Sequence, residues 1–335
     1  MKVLITGGTG YIGSHCAVML LEKNFEVVLL DNLSNSFRRV CNQIHEITKK
    51  KISFIEGDIN DKKLLEEIFI SHKIDIVLHF AGLKAVNESV KEPEKYYQNN
   101  VQGTLCLMDM MEVYGISKLV FSSSATVYGD PEYLPMDENH PLKPLHPYGE
   151  NKIFIEKMLK DQTLKNSSWK VLSLRYFNPI GAHKSNLIGE FPSGHPNNLI
   201  PYIMQVAAGK RPRLKIFGNN YSTPDGTGLR DYIHIDDLVE GHIAAINYLF
   251  NMKENNNFDI FNLGTGSAYS VLEVLESFEN VSGCKIPYVF SEKREGDIQS
   301  SYADVSKARS ILNWKAVKSL DEMCMSVWRY QKNIF

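Results

Sequence analysis

Cysteine is scarce in this 335-residue sequence and poorly placed for pairing: Cys16, Cys41, Cys106, Cys284 and Cys324 are odd in number, widely spaced and form no CxxC pair. That argues against a disulfide framework and a zinc centre, and points to a reducing, cytoplasmic setting. Long hydrophobic runs are lacking too. No stretch of 18 apolar residues occurs, and the apolar run before Gly7 spans three residues, too short for a signal peptide, so no membrane association is expected. Neither sign of charge prevails: 37 Lys and Arg against 39 Asp and Glu leave a net charge of −2, without a field that would gather nucleic acid. Any anionic ligand must be held by local groups. His15, His79 and His234 share no ligand spacing with one another or with the cysteines, so no metal is expected.

What is present is a 43% hydrophobic composition, ample for a buried core. The first half alternates short β-branched runs, near 2–6, 26–31, 52–56, 75–79, 118–122 and 170–175, with longer amphipathic stretches. Such alternation predicts βαβ units and an α/β fold with a doubly wound parallel sheet of the Rossmann kind. The apolar runs Val27–Leu30 and Ile74–Leu78, the second interrupted only by Asp75, predict strands covered on both faces. After Asn178 the texture changes: Pro179, Gly181, Gly189, Pro192, Gly194 and Pro196 crowd a passage with no sustained period, reading as entry into a second, smaller α/β lobe. The expected division is 1–177 for a dinucleotide and 178–335 for a substrate, with some segments free to cross. In the second part helices are expected at 198–209, 236–250, 270–282, 304–313 and 319–332, and strands near 214–217, 230–234 and 259–263.

Thr6-Gly7-Gly8-Thr9-Gly10-Tyr11-Ile12-Gly13 follows the first strand directly and opens a helix. Glycines there let the backbone turn sharply and approach a pyrophosphate, to which the helix N-terminus offers unpaired N–H groups. Asp31 ends the second strand, 18 residues past Gly13, where an acid accepts from ribose hydroxyls and repels a 2′-phosphate; NAD is therefore expected rather than NADP. Asp58 and Ile59, and Phe80, Ala81 and Gly82, close the third and fourth strands at the same edge, where such sheets collect ligands, and are expected as adenine and ribose contacts; taken singly, each also reads as ordinary turn chemistry.

Tyr148 and Lys152, four residues apart behind Pro147, share one face at the start of a helix. A lysine in the first turn opposes the helix dipole unless an anion lies nearby. The ammonium, the helix N-terminus and an oxidised nicotinamide all favour the phenolate, which predicts a tyrosine base poised closer to neutral pH than its usual value near 10. Ser122-Ser123-Ser124 closes the fifth strand, and a hydroxyl there, Ser124 by preference, can hydrogen-bond the oxygen that loses its proton.

Long motifs carry a resemblance that runs almost end to end: KVLITGGTGYIGSH, LLDNLSNS, HFAGLKAVNESV, FSSSATVYG, YGENK, LRYFNPIGAH, DGTGLRDYIHIDDL and REGD. By these the chain resembles the extended short-chain dehydrogenases/reductases and, within them, the UDP-glucose 4-epimerase family. The resemblance implies Ser124, Tyr148 and Lys152 as catalytic residues. It implies NAD contacts from Tyr11, Ile12, Asp31, Asn32, Asn35, Ser36, Asp58, Ile59, Lys84, Asn99 and Phe177. It implies UDP-sugar contacts from Asn178, Asn198, Leu199, Phe217, Arg230, Arg294 and Asp297; the two arginines also suit a diphosphate by their rigid donor fork.

The reaction implied is exchange of UDP-glucose and UDP-galactose through a transient 4-keto sugar and NADH, in a homodimer joined through 92–115 and 148–160. Ser301, where many bacterial relatives carry a bulky tyrosine, reads either as leaving room for the 2-acetamido group of UDP-GlcNAc or UDP-GalNAc or as a neutral loop substitution. A 4,6-dehydratase needs carboxylates between Phe121 and Gly129, and none is present. Another NAD-dependent UDP-sugar epimerase or dehydrogenase, or a non-catalytic NAD sensor, are the competing readings.

Overall fold

A computed structural model of the chain describes residues 1–191, 198–252, 257–294 and 296–334; Pro192, Gly194 and Pro196 of the loop-rich passage lie outside the described residues. The first half runs β1 (Lys2–Thr6), α1 (Tyr11–Glu22), β2 (Glu26–Asp31), α2 (Arg39–Thr48), β3 (Ser53–Glu56), α3 (Lys62–Ser71), β4 (Ile76–His79), α4 (Val86–Lys91) and α5 (Pro93–Tyr96). A π-helical stretch, Tyr97–Gln102, leads into α6 (Gly103–Val113), followed by β5 (Lys118–Ser124), α7 (Pro147–Lys165) and β6 (Lys170–Tyr176). The second half holds β7 (Asn178–Ile180), α8 (Leu199–Ala207), β8 (Leu214–Phe217), β9 (Leu229–Arg230), β10 (Tyr232–His234), α9 (Ile235–Phe250) and β11 (Phe258–Leu263). It ends with β12 (Tyr269–Ser270), α10 (Val271–Ser282), β13 (Tyr288–Ser291), β14 (Ser300–Ser301), α11 (Ser306–Ile311) and α12 (Leu320–Ile334).

Seven of these strands form one parallel sheet in the order β11-β6-β5-β4-β1-β2-β3. Because strands covered on both faces need side chains for both, Val3 and Ile5 enter one core with α1 and α9, while Leu4, Val28 and Leu30 enter a second with α3, α6 and α7. The seventh strand, β11, comes from far along the chain and pairs with β6. A third core, including Ile203, Leu214, Phe278 and Met323, unites α8, β8, α10 and α12. Within it, α10 starts on a reciprocal capping box between Ser270 and Glu273 and stops at Gly283, whose φ of 71° suits a left-handed cap.

Two features of the sheet place a ligand. Strand order reverses between β1 and β4, opening a crevice at their C-terminal ends, where α/β sheets bind nucleotides. Register does the rest: β4 ends at His79, opposite Phe121, whereas β5 continues to Ser124, paired only with β6 as far as Tyr176. The three serines therefore stand proud of β4 at that crevice.

Candidate active site

The glycine loop is packed too tightly for side chains. A Cβ on Gly13 would lie 2.2 Å from the Gly7 carbonyl oxygen, and one on Gly7, at φ 69°, would lie 2.8 Å from the Ala81 nitrogen. The loop hangs from β2 through Gly7 N–H to Leu30 O at 2.8 Å, and α1 begins at Gly10 with no side-chain cap and no acid in its first turn. Its leading N–H groups and positive dipole end are thus left for an anion. Ala81 is drawn over the loop by its N–H to Thr6 Oγ1, 3.3 Å, and Thr6 is braced by the buried His79, whose other nitrogen meets Thr104. Burial, chiefly, with help from the Lys152 charge, lowers the His79 pKa to about 3, so it is a neutral brace.

At the end of β2, Asp31 accepts from Thr9 N–H (3.0 Å), Leu33 N–H (2.9 Å) and Ser36 Oγ (2.8 Å), which folds the 31–36 loop against the glycine loop. Asn32 donates to Asp58 at 2.7 Å, joining the ends of β2 and β3; Asn35 is exposed beside them. Burial raises the Asp58 pKa, but bonds from Asn60 and Asn32 outweigh it and leave the carboxyl below its usual value. Ile59 turns its side chain into the core, which leaves its main chain for a ligand. Phe80 packs on the His242 ring at 5.1 Å, Asn99 is half-buried in the π stretch, and Phe177 is buried in a small seam cluster with Tyr128 and Ala303. Tyr11 donates its hydroxyl to Gly181 O, just past β7, at 2.7 Å.

The residues expected to transfer a proton lie together where α7 begins and β5 ends. His146 caps α7 by accepting from Gly149 N–H, Tyr148 is half-buried in the first turn, and the Ser124 hydroxyl hydrogen-bonds its phenol. Lys152 is buried; its Nζ donates to Ser122 O at 2.6 Å and lies 5.6 Å from the Tyr148 ring centroid. The expected lowering of the tyrosine pKa is not delivered by the polypeptide. Burial pushes Tyr148 up to about 12, with only Ser124 opposing, because Lys152 is committed to a carbonyl and is itself desolvated to about 8. Protein alone leaves a neutral phenol beside the ammonium.

The expected sugar-nucleotide residues form a second group. Asp297 gathers both arginines, accepting from Arg230 Nη2 at 2.6 Å and Arg294 Nη2 at 3.1 Å, and Arg294 lies over the Phe217 ring at 4.8 Å. Ser301 is buried in β14, in register with Arg230. Asn178 is exposed at the start of β7, and Leu199 opens α8 behind Asn198. Two organising acids have no signal of their own in the sequence. Glu190 accepts from Lys84 and Asn198, both at 3.1 Å, so it joins an expected cofactor residue to an expected sugar-nucleotide residue. Asp231, fully buried, accepts from Thr265, Gly266 and Ala303 and so fixes the loops around Arg230.

Comparison with known proteins places this arrangement among characterised ones. A family described as GDP-mannose 4,6 dehydratase matches residues 4–327. A UDP-glucose 4-epimerase of Bacillus subtilis is 51% identical over 333 residues, 99% of this chain and 97% of that protein. The crystal structure of a Bifidobacterium longum UDP-glucose 4-epimerase, in complex with NAD+ and UDP, superposes with a TM-score of 0.95 at 45% identity, covering 99% of this chain and 98% of that one. A UDP-Glc/GlcNAc 4-epimerase from Campylobacter jejuni superposes with a TM-score of 0.85 at 36% identity, covering 99% of each chain.

Proposed function

This chain belongs to the UDP-glucose 4-epimerase family, and we propose that it is an NAD-dependent isomerase that inverts C4 of a UDP-hexose, interconverting UDP-glucose and UDP-galactose. The observation that carries the reading is the meeting of Tyr148, Lys152 and Ser124 at the strand end beside the glycine crevice. The crevice fits a dinucleotide: its loop is packed too tightly to carry side chains at Gly7 and Gly13, the α1 N-terminus is uncapped, and the acid at the end of β2 suits an unphosphorylated ribose. Gly7, Gly10, Tyr11, Ile12, Gly13, Asp31, Asn32, Asn35, Ser36, Asp58, Lys84 and Asn99 would hold it, with Phe80–Gly82 and Phe177 beside them. When bound, NAD supplies a positively charged ring that takes a hydride from C4 and returns it.

Tyr148 removes the 4-OH proton and restores it after the 4-keto sugar has turned. Ser124 Oγ, already on the phenol, holds the same oxygen. A tyrosine at about 12 is a poor base near neutrality, and each opposite charge within about 4–6 Å lowers a pKa by about 1–3 units. That value already includes Lys152, so the opposite charge that lowers it would come from the cationic ring of the bound cofactor. Arg230 and Arg294 anchor the diphosphate from donors prealigned by Asp297, far enough from C4 for the ketose to rotate while the nucleotide stays bound. A 4,6-elimination is disfavoured because Ala125 and Thr126 stand where that chemistry would want carboxylates.

Two finer features belong to the same reading. Ser301 is small and buried beside Arg230, which suits acceptance of UDP-GlcNAc and UDP-GalNAc, and the similar Campylobacter jejuni protein is a UDP-Glc/GlcNAc 4-epimerase. Tyr97, Leu105 and Phe154 expose apolar surface along the π stretch, α6 and α7, the face on which a homodimer would close. Tyr148→Phe tests the core assignment: turnover should fall by about 10²–10⁴ with UDP binding retained. Undiminished turnover with intact binding would remove Tyr148 from the reaction.

A further inference from the structure

Beneath the reaction centre lies a buried ion pair that the proposed chemistry does not use. Glu156 follows Lys152 by one turn and Tyr148 by two, so all three occupy one stripe of α7. Its carboxylate is 4% exposed and accepts four hydrogen bonds: Ser123 Oγ at 2.6 Å, Ser173 Oγ at 2.9 Å and Arg175 Nε at 3.1 Å on one oxygen, and Arg175 Nη2 at 2.7 Å on the other. Arg175, 1% exposed, gives its remaining nitrogen to Tyr128 OH (3.1 Å) and Glu138 O (3.2 Å), and Tyr128 passes the chain on to Asn262 at 2.6 Å. Such a pair rarely improves on apolar residues of the same shape as a source of stability, so its placement calls for another reason.

Geometry supplies one. Ser123 sits between Ser122, whose carbonyl takes the Lys152 ammonium, and Ser124, which bonds the Tyr148 phenol. Glu156 therefore clamps α7 to β5 at the level where the three reacting groups meet, and clamps β6 to the same point through Ser173 and Arg175. We propose that Glu156, held in place by Arg175, is a positioning residue for the reaction centre, fixing Tyr148, Lys152 and Ser124 in register and placing a negative charge one turn behind Lys152. This rests on the epimerase reading above. The other groups facing Lys152 are Tyr148 on its own helix, the Phe121 ring at 4.7 Å and Ser122 O on β5, and the neutral His79 on β4. Glu156 is the anion among them, and it counteracts the burial that pulls the lysine down to about 8.

The sign follows. Removing the carboxylate makes the ammonium easier to deprotonate, so the alkaline limb of kcat moves to lower pH. The test is the kcat and KM of UDP-galactose conversion across neutral to alkaline pH, with thermal midpoints, for the wild type, Glu156→Gln, Glu156→Asp and the double variant Glu156→Gln with Arg175→Met. The limb should move down by about 1 pH unit or more in the first and last, with KM changed less than about twofold. Glu156→Asp should keep the wild-type limb at reduced kcat. The double variant orphans no charge, so it carries the test if Glu156→Gln alone fails to fold. An unmoved limb in the double variant, with kcat merely tracking thermal stability, overturns the proposal. Tyr148→Phe separates the two readings: if it is inactive while the limb stays put, only this inference falls, whereas an active Tyr148→Phe sinks the reading beneath it.

Discussion

Gly13→Ala tests whether the glycine loop is built around a bound phosphate or is merely a turn. The new Cβ would start 2.2 Å from Gly7 O and 3.0 Å from Gly8 Cα. Ordinary carbon contacts are about 3.5 Å, so the loop and the first turn of α1 must part by roughly 1 Å. Overpacking of that kind costs about 1–3 kcal/mol, and the helix propensity gained over glycine returns up to about 1 kcal/mol. The net loss of about 0–3 kcal/mol should lower the thermal midpoint by only a few degrees in a chain of this size. Binding should suffer far more. Displacing the first-turn N–H groups by roughly 1 Å breaks charge-assisted bonds worth about 1.5–3 kcal/mol each, and losing two weakens phosphate binding by more than about 100-fold. The assay is the nucleotide released from purified protein by acid, with titration of the stripped protein by NAD. Gly115→Ala is the control: it has φ 70° and nothing within 4 Å of its Cβ, so it strains the backbone away from the glycine loop and lowers stability without a clash there. Wild-type retention by Gly13→Ala, or an equal loss in Gly115→Ala, would refute the argument.

Other outcomes follow from the same structure. Burial lowers His15 and His79 from 6.5 to about 3, and His234 and His242 to about 4. Between those values and 6.5 the unfolded chain binds more protons than the folded one, so stability should fall as pH drops below about 6.5; His15→Gln should reduce the slope of denaturation midpoint against pH by one proton, about 1.4 kcal/mol per pH unit at most. A slope indifferent to His15 would contradict its burial as a neutral ring. Ser301→Tyr should depress kcat/KM for UDP-N-acetylhexosamines by about 10–200-fold while sparing UDP-hexoses, and equal rates with both would remove Ser301 from selectivity. The proposed homodimer predicts that the wild type runs at twice the chain mass and Phe154→Glu at the monomer mass; a monomeric wild type would remove the dimer, and a Phe154→Glu variant that stays dimeric would move its interface elsewhere.

The sheet was legible because its strands are buried on both faces: the runs around Val3–Ile5, Val27–Leu30 and Ile76–Leu78 admit little else, and the observed bounds of these strands match the expected ones or differ by one residue. The place of β11 beside β6 was not, since pairing partners far apart in sequence leave no local periodicity. Tyr148 and Lys152 could be found because a helix converts a four-residue spacing into adjacency. Glu190, Asp231 and the Glu156–Arg175 pair could not, because their meaning arises only when separate elements meet: an acid in a loop, an acid at a strand end and a glutamate on a mixed helix look like ordinary polar residues in a string. The protonation of Tyr148 escaped for a related reason. Spacing shows the lysine nearby, but the desolvation that outweighs it depends on β5 and β6 closing over both groups.

The most direct measurement incubates the purified chain, as isolated and without added cofactor, with UDP-galactose in one vessel and UDP-glucose in another, and follows both sugars and the near-ultraviolet absorbance of free reduced nicotinamide. Both vessels should reach the same mixture of the two sugars with no reduced nicotinamide accumulating in solution. Stoichiometric reduced nicotinamide with an oxidised sugar, or no conversion by protein that has retained its nucleotide, would contradict the account.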